Sequence, residues 1–475
     1  MNRALWTSRD LIEAMGGRPF GQMPDGITGI SIDSRSLTPG EAFFAIKGDT
    51  MDGHDFATAA VKAGAALLVV SEAKLPALGR LTVPMIVVDD VLEALIRLSI
   101  ASRARSKARI VAVTGSAGKT TTKEALRHAL SAVGKVHASD KSFNNHWGVP
   151  LSLARMPDDC DYAIFEIGMN HADEIRPLVK LVQPHVAIIT LIAAAHLGHF
   201  KSLEDIARAK AEIFEGLVKG GHALINRDDA HWKLLEKLAK AAGVKHIHGF
   251  GENAKAEFKL LRCVLSADHA SFSAVIGGTE VVARVGAPGR HMVQNALAVL
   301  GAAKLCGADV ARVAVALGDL QAEGGRGRRH LLAKNITLID ESYNANTASM
   351  KAAIDLLDAT PVEGKGRRIA VLGDMLELGT HSAKLHASLA SMIEPTKVDL
   401  VYLGGQEMAA LASALPPERL AAHLPDVEAL MPVLLGALKA NDVVMVKSSK
   451  GIGFSKLVEA MTKKFPAEGE SQKRA

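Results

Sequence analysis

The sequence predicts an α/β protein of three domains. Residues 1–105 form a small α/β unit, 106–322 a central unit with a mainly parallel sheet, and 323–475 a doubly wound unit. Three observations predict this. The chain has 475 residues, enough for two to four domains. Short β-branched runs alternate with helical stretches along most of it, the pattern of parallel strands joined by right-handed crossovers. One stretch, Arg109-Ile-Val-Ala-Val-Thr-Gly-Ser-Ala-Gly-Lys-Thr-Thr-Thr122, joins a buried strand to a glycine turn and a helix.

That stretch is where the chain's chemistry is most legible. Backbone N–H groups and the positive helix end would face an anion, and Lys119 can reach the β- and γ-phosphates of a nucleotide. The Thr120 hydroxyl is placed to ligate Mg²⁺. The usual P-loop pattern wants a glycine where this chain has Val113. The shorter form, Thr114-Gly115-Ser116-Ala117-Gly118-Lys119-Thr120-Thr121, keeps the strand and helix around it. The alternative is an ordinary strand-to-helix turn that carries a lysine. Binding of a nucleoside triphosphate is the expectation.

In the first domain, Leu5–Met15 reads as a helix ended by Gly16-Gly17. Strands are expected at 29–33, 42–46, 67–70 and 85–88, with helices at 56–63 and 91–102. The polar stretch Ser102 to Lys107 reads as a linker. In the second domain, strands are expected at 162–167, 186–192 and 223–226, then hairpins between Phe258 and Val285 around Gly277-Gly278. A helix follows from Val293 to Cys306. In the third, strands at 336–339, 369–372, 400–403 and 443–446 are each followed by a helix.

Composition narrows the function class. Hydrophobic residues make up 48% and charged residues 23%, so the chain can bury a large core. The net charge of +5 is mild for this length and does not argue for nucleic acid. Cys160, Cys263 and Cys306 are far apart and odd in number, which fits a reducing compartment better than a disulfide framework. Met1 to Asp10 lacks a signal-peptide core, and no apolar run approaches a membrane span. The tail Glu468 to Ala475 is expected to fray.

Several single residues carry chemistry. Glu166 is a charge within an apolar strand, and a buried carboxylate needs a partner such as Mg²⁺ near Thr120. The alternative is a strand-end glutamate facing solvent. Ser202 and Asp205 resemble a capping box opening a helix through Gly216. Lys210 falls on the apolar face of that helix, with Ile206, Ala207, Ile213 and Phe214. It either snorkels to the edge or is buried with a depressed pKa; from composition alone, snorkelling is the better expectation. A neutral lysine can react with CO₂ to form a carbamate. His196 can ligate a metal or play a structural part. The basic cluster around Arg326 can clamp phosphate or form a solvated hinge, and Asp340 ends a strand.

Together these residues resemble the Mur ligases, ATP-dependent amide ligases of peptidoglycan precursor synthesis. The resemblance rests on Thr114–Thr121, Glu166, His196, Lys210, the run Gly289-Arg-His-Met-Val-Gln-Asn295, Arg326 and Asp340. Five further runs are similar to the members that join D-alanyl-D-alanine to UDP-N-acetylmuramoyl-tripeptide: Asp33-Ser34-Arg35, Gly48…Asp52-Gly-His-Asp-Phe56, Ser142-Phe-Asn144-Asn145, Asp340-Glu-Ser-Tyr343-Asn344-Ala-Asn346 and Val371-Leu-Gly-Asp-Met-Leu-Glu-Leu-Gly379. The resemblance implies that Gly115 to Thr121 hold ATP, with Asn295 on the adenine, Arg326 on the phosphates and Asp340 on the ribose. It implies two Mg²⁺ ions, one held by Thr120 and Glu166, the other by His196 and a carbamylated Lys210, which reverses the snorkelling expectation. Lys119, Glu166, His196 and Lys210 are then the catalytic set. Ser34, Arg35, Asn144, Asn145, Tyr343, Asn344 and Asn346 are the expected substrate contacts. A cytoplasmic monomer is implied, with no nucleic-acid partner and no membrane insertion.

Two positions depart from the family pattern. Met292 stands where Asn is common, and Lys447-Ser-Ser-Lys450 where Lys-Gly-Ser-Arg is expected. Lys450 keeps a charge without the planar fork of arginine. The competing readings are a Mur or folate ligase with another acceptor, a P-loop NTPase acting as a switch, and a nucleotide-binding module without turnover.

Overall fold

The computed structural model describes residues 4–140 and 142–467, so the expected fraying at Glu468–Ala475 lies outside the described residues. Three large sheets follow one another along the chain. The first has five strands in the order Arg18–Phe20, Met85–Val88, Leu67–Ser71, Glu41–Phe44 and Gly29–Ser31. All neighbours are parallel except the Arg18–Phe20 edge. The first helix begins at Ser8 rather than Leu5, because Thr7 caps it by accepting from the Asp10 N–H. It ends at Gly16 in the left-handed conformation, as the glycine pair predicts.

The stretch Ser102–Lys107 is not a linker over most of its length. The helix Val91–Arg105 runs through it, and Ser102 is buried, donating to Leu153 O at 2.6 Å. Polarity misled here because Ser102, Arg103 and Arg105 bind backbone carbonyls of other segments, including Val182 O and Met156 O. The same helix packs on Gly148–Ala154, so one core joins Leu95 and Leu98 to Leu151 and Ala154.

The second sheet has nine strands and positions the site. Its neighbours are parallel from Val136–Ala138 to Phe258–Leu265, and the last two strands, Ala270–Ile276 and Thr279–Val285, are antiparallel hairpin strands. Arg109–Thr114 lies between Tyr162–Glu166 and Val186–Ile189, so the strand order reverses at its carboxyl end. That reversal opens a crevice where ligands bind in sheets of this kind. Val186–Ile189 stops short of the expected 192, because Ile192 N–H turns aside to Asp229 Oδ2 at 2.6 Å.

The third sheet has six strands, in the order Arg328–Leu332, Ile336–Glu341, Val443–Lys447, Arg368–Gly373, Leu400–Gly404 and Leu420–Leu424. Only the first pair is antiparallel. Apolar cores line both faces, as a doubly wound layout requires. Among the described residues, no helix is long and apolar enough to cross a membrane.

Candidate functional site

The glycine turn follows Thr114 without slack. Gly115 has φ 153°, and a Cβ there would lie 1.9 Å from Thr190 Oγ1. Thr190 cannot simply move away, since its hydroxyl donates to Ala117 O at 2.5 Å. Gly118, left-handed at φ 81°, starts the helix Lys119–Leu130, whose first amides face the turn. Lys119 Nζ donates to Gly115 O at 2.8 Å. Burial lowers the Lys119 pKa; the Glu166 carboxylate opposes this and the Arg326 charge adds to it.

Glu166 does not face solvent. It is 1% exposed, and its oxygens accept from Thr120 Oγ1 and Asn144 Nδ2, each at 2.7 Å. The carboxylate therefore sits beside the turn with a fixed orientation.

Lys210 is also buried, at 1% exposure, so the composition-based expectation of snorkelling fails. Ser202 caps the helix Leu203–Ala211, accepting from Asp205 N–H at 3.1 Å. The face carrying Ile206, Lys210 and Ile213 is sealed against the core. The helix continues to Gly216 as a tighter 3₁₀ segment. Burial drives the Lys210 pKa well below its ordinary value, and the neighbouring Lys119 charge pushes the same way.

The turn opens into a cavity of about 570 Å³ shared by the second and third sheets. Ser116 to Thr121, Asn144, Glu166, His196 and Asn295 line one side; Arg326, Tyr343, Asn344 and Asn346 line the other. Two hydrogen bonds tie the sides together. Asn346 Nδ2 donates to Ser116 O at 3.0 Å, and Tyr343 Oη lies 2.7 Å from Ser142 Oγ. Asn346 also caps the helix Thr347–Ala359. The Arg326 guanidinium stacks 4.0 Å from the Tyr343 ring centroid. Asn295 Oδ1 lies 3.0 Å from where a Cβ on Gly118 would be, so this side chain borders the turn.

Some expected residues do not line the cavity. Lys210 lies behind it, and Thr114 and Gly115 are covered by Thr190. Asp340 is committed to its own turn, accepting from Gly325 N–H at 2.7 Å and from the Ser342 hydroxyl at 2.6 Å. Asn145 accepts from Gly148 N–H at 2.9 Å and starts a helix. Ser34 and Arg35 sit in the turn after the strand Gly29–Ser31, outside the cavity, where exposed Arg35 pairs with Asp33 at 2.7 Å. Of the departures, Met292 is 4% exposed and packs in the core, while Lys450 lines the cavity 5.4 Å from the Tyr343 ring.

Other lining residues had no assigned role. Glu377 pairs with His196 Nδ1. Lys447 donates to Asn344 O at 3.0 Å and lies 3.2 Å from Glu341 Oε2. His291 is half-buried near Glu341 and Lys447, and desolvation lowers its pKa. The signal for Glu377 was its place in Val371–Gly379, a run noticed for its resemblance alone.

Comparison with known proteins agrees with this arrangement. Family models match for the Mur ligase family catalytic domain (residues 26–103), the Mur ligase middle domain (113–303) and the Mur ligase glutamate ligase domain (325–450). The UDP-N-acetylmuramoyl-tripeptide--D-alanyl-D-alanine ligase of Rickettsia prowazekii is 32% identical over 96% of this chain and 99% of its own. The protein of the same name from Escherichia coli K12 is 34% identical over 91% and 93%. The crystal structure of MurF from Acinetobacter baumannii superposes with a TM-score of 0.84 at 30% identity, covering 98% of this chain and all of the other. Similarity of this extent, along nearly the whole chain, means that the chain belongs to the Mur ligase family.

Proposed function

We propose that the chain is an ATP-dependent amide ligase that joins D-alanyl-D-alanine to UDP-N-acetylmuramoyl-tripeptide in peptidoglycan synthesis. The observation that carries this is the Asn346–Ser116 hydrogen bond. It sets the Tyr343–Asn346 run, on the third sheet, directly against the phosphate turn of the second. ATP and an acceptor held by the third sheet would then share one cavity. The names of the full-length relatives supply the substrates. On this reading the protein acts as a monomer, and nucleotide-linked substrates suit the cytoplasm.

The tripeptide carboxylate attacks the γ-phosphate, releasing ADP and leaving an acyl phosphate. The amine of the dipeptide then adds to the acyl carbon and expels phosphate. The turn amides hold the phosphates, and Lys119 and Arg326 offset their charge. Closure of the third sheet over the second keeps water from the acyl phosphate.

The residues fit Mg²⁺. Among the described residues no three His, Cys, Asp or Glu gather around one point, so a cage made of protein alone is absent. Mg²⁺ prefers one or two carboxylates completed by phosphate oxygens, and Glu166 with the Thr120 hydroxyl offers that start. His196 and Lys210 would hold the second ion. Burial disfavours the charged form of Lys210, and its neutral amine can add CO₂ and release a proton to give a carbamate. When bound, the ions neutralise phosphate charge.

The test is phosphate release from ATP with UDP-N-acetylmuramoyl-tripeptide, with and without D-alanyl-D-alanine. Release that needs both, with a product heavier by one dipeptide, is expected. Release without acceptor would favour the switch reading.

A further inference from the structure

His196 and Glu377 are 181 positions apart in the chain and belong to different sheets, yet both are left-handed at non-glycine positions, with φ 60° and 63°. Such backbone is sparsely populated and persists only where its surroundings hold it. His196 Nδ1 is buried and has no hydrogen bond of normal geometry among the described residues; the Glu377 Oε2 carboxylate oxygen is set against it as an ion-pair contact. The backbone joins in, with Gly198 N–H donating to Glu377 O at 2.7 Å. Gly198 and Gly379 meet so closely that a Cβ on Gly379 would lie 2.9 Å from Gly198 Cα.

We propose that Glu377 is a positioning residue for His196, and that this cross-domain pairing completes the site only on closure. A carboxylate on Nδ1 keeps the proton there and turns the Nε2 lone pair toward the cavity. With the domains apart, the imidazole loses that constraint. The arrangement would hold back ATP cleavage until the third sheet has closed over the phosphate turn. This rests on the ligase reading.

The test uses full-length protein labelled with ¹⁵N-histidine, in complex with a non-hydrolysable ATP analogue and the tripeptide nucleotide. Wild type is expected to show His196 protonated at Nδ1. Glu377→Ala should lose that tautomer and lower kcat for phosphate release about 10–100-fold, with KM for ATP and melting temperature little changed. Glu377→Gln keeps an acceptor and should retain more activity than alanine. Gly379→Ala keeps the carboxylate but obstructs the meeting, and should reproduce the kcat loss. An unchanged tautomer and kcat in Glu377→Ala, or full kcat in Gly379→Ala, would overturn the proposal. If wild type releases no phosphate with these substrates, the ligase reading fails, while the imidazole signal still reports whether the pairing exists.

Discussion

Thr120 Oγ1 donates to Glu166 Oε2 at 2.7 Å, linking the first turn of one helix to the end of a strand 46 residues later. The hydroxyl and carboxylate thus lie side by side at the turn. Glu166→Gln should keep ATP binding, which rests on backbone amides, and lose at least about a hundredfold in kcat, the several kcal/mol expected when charge neutralisation is removed. Asn144→Ala frees one carboxylate oxygen and should cost about 10–100-fold. Steady-state phosphate release and nucleotide titration together check both.

Gly115 and Thr190 should be energetically coupled. Gly115→Ala drives a Cβ into the Thr190 hydroxyl and should weaken ATP binding by more than tenfold. Thr190→Ala removes that atom along with its bond to Ala117 O, so the double variant should bind better than the sum of the singles predicts. Calorimetric titration of all four proteins measures the coupling.

Lys210→Ala should abolish ligation. Bicarbonate should not restore it, whereas a short-chain carboxylic acid should restore part by filling the space with an oxygen anion. In wild type, ¹³C-bicarbonate should produce a carbamate resonance that the variant lacks. Full activity in Lys210→Ala would end the carbamate idea.

His185 should make the fold acid-sensitive. Its Nδ1 accepts from Ile110 N–H at 3.0 Å, a bond open only to the neutral ring. Burial, with Arg103 and Arg109 nearby, lowers its pKa to about 4. Unfolded histidine titrates near 6.5. Between these values the unfolded chain binds the extra proton, so stability falls as pH drops from about 6.5 to about 4. Urea unfolding across that range should show the slope, and His185→Gln should flatten part of it.

Closure should be visible in solution. Tyr343→Phe removes the oxygen that meets Ser142 and should raise KM more than it changes melting temperature. X-ray scattering should give a smaller radius of gyration with ATP and tripeptide nucleotide than without. Identical curves would count against a moving third sheet.

Local pattern revealed much of this. The phosphate turn, the hairpins after Phe258 and the capped helix bearing Lys210 all rest on residues close in sequence, where spacing carries the information. The burial of Lys210 was not settled by its helix, because either fate suits an apolar face; the packing of that face decided it. Lys123 escaped notice for the same reason, although it is fully buried and donates to Ser139 O at 2.7 Å. Glu377 could not be read at all, since its meaning lies in a partner on another sheet. Short edge strands such as Arg18–Phe20 were missed because three exposed residues show no alternation.

The core that joins Leu95 and Leu98 to Leu151 and Ala154 makes the first two sheets one body. The two cores of the third sheet draw only on residues from Leu332 onward. A molecule built this way has a single joint. On the ligase reading, a nucleotide substrate carried on the first sheet would keep a fixed distance to the phosphate turn, like work clamped to a bench. The third sheet alone has to travel, and the length of its swing decides how often the site is complete.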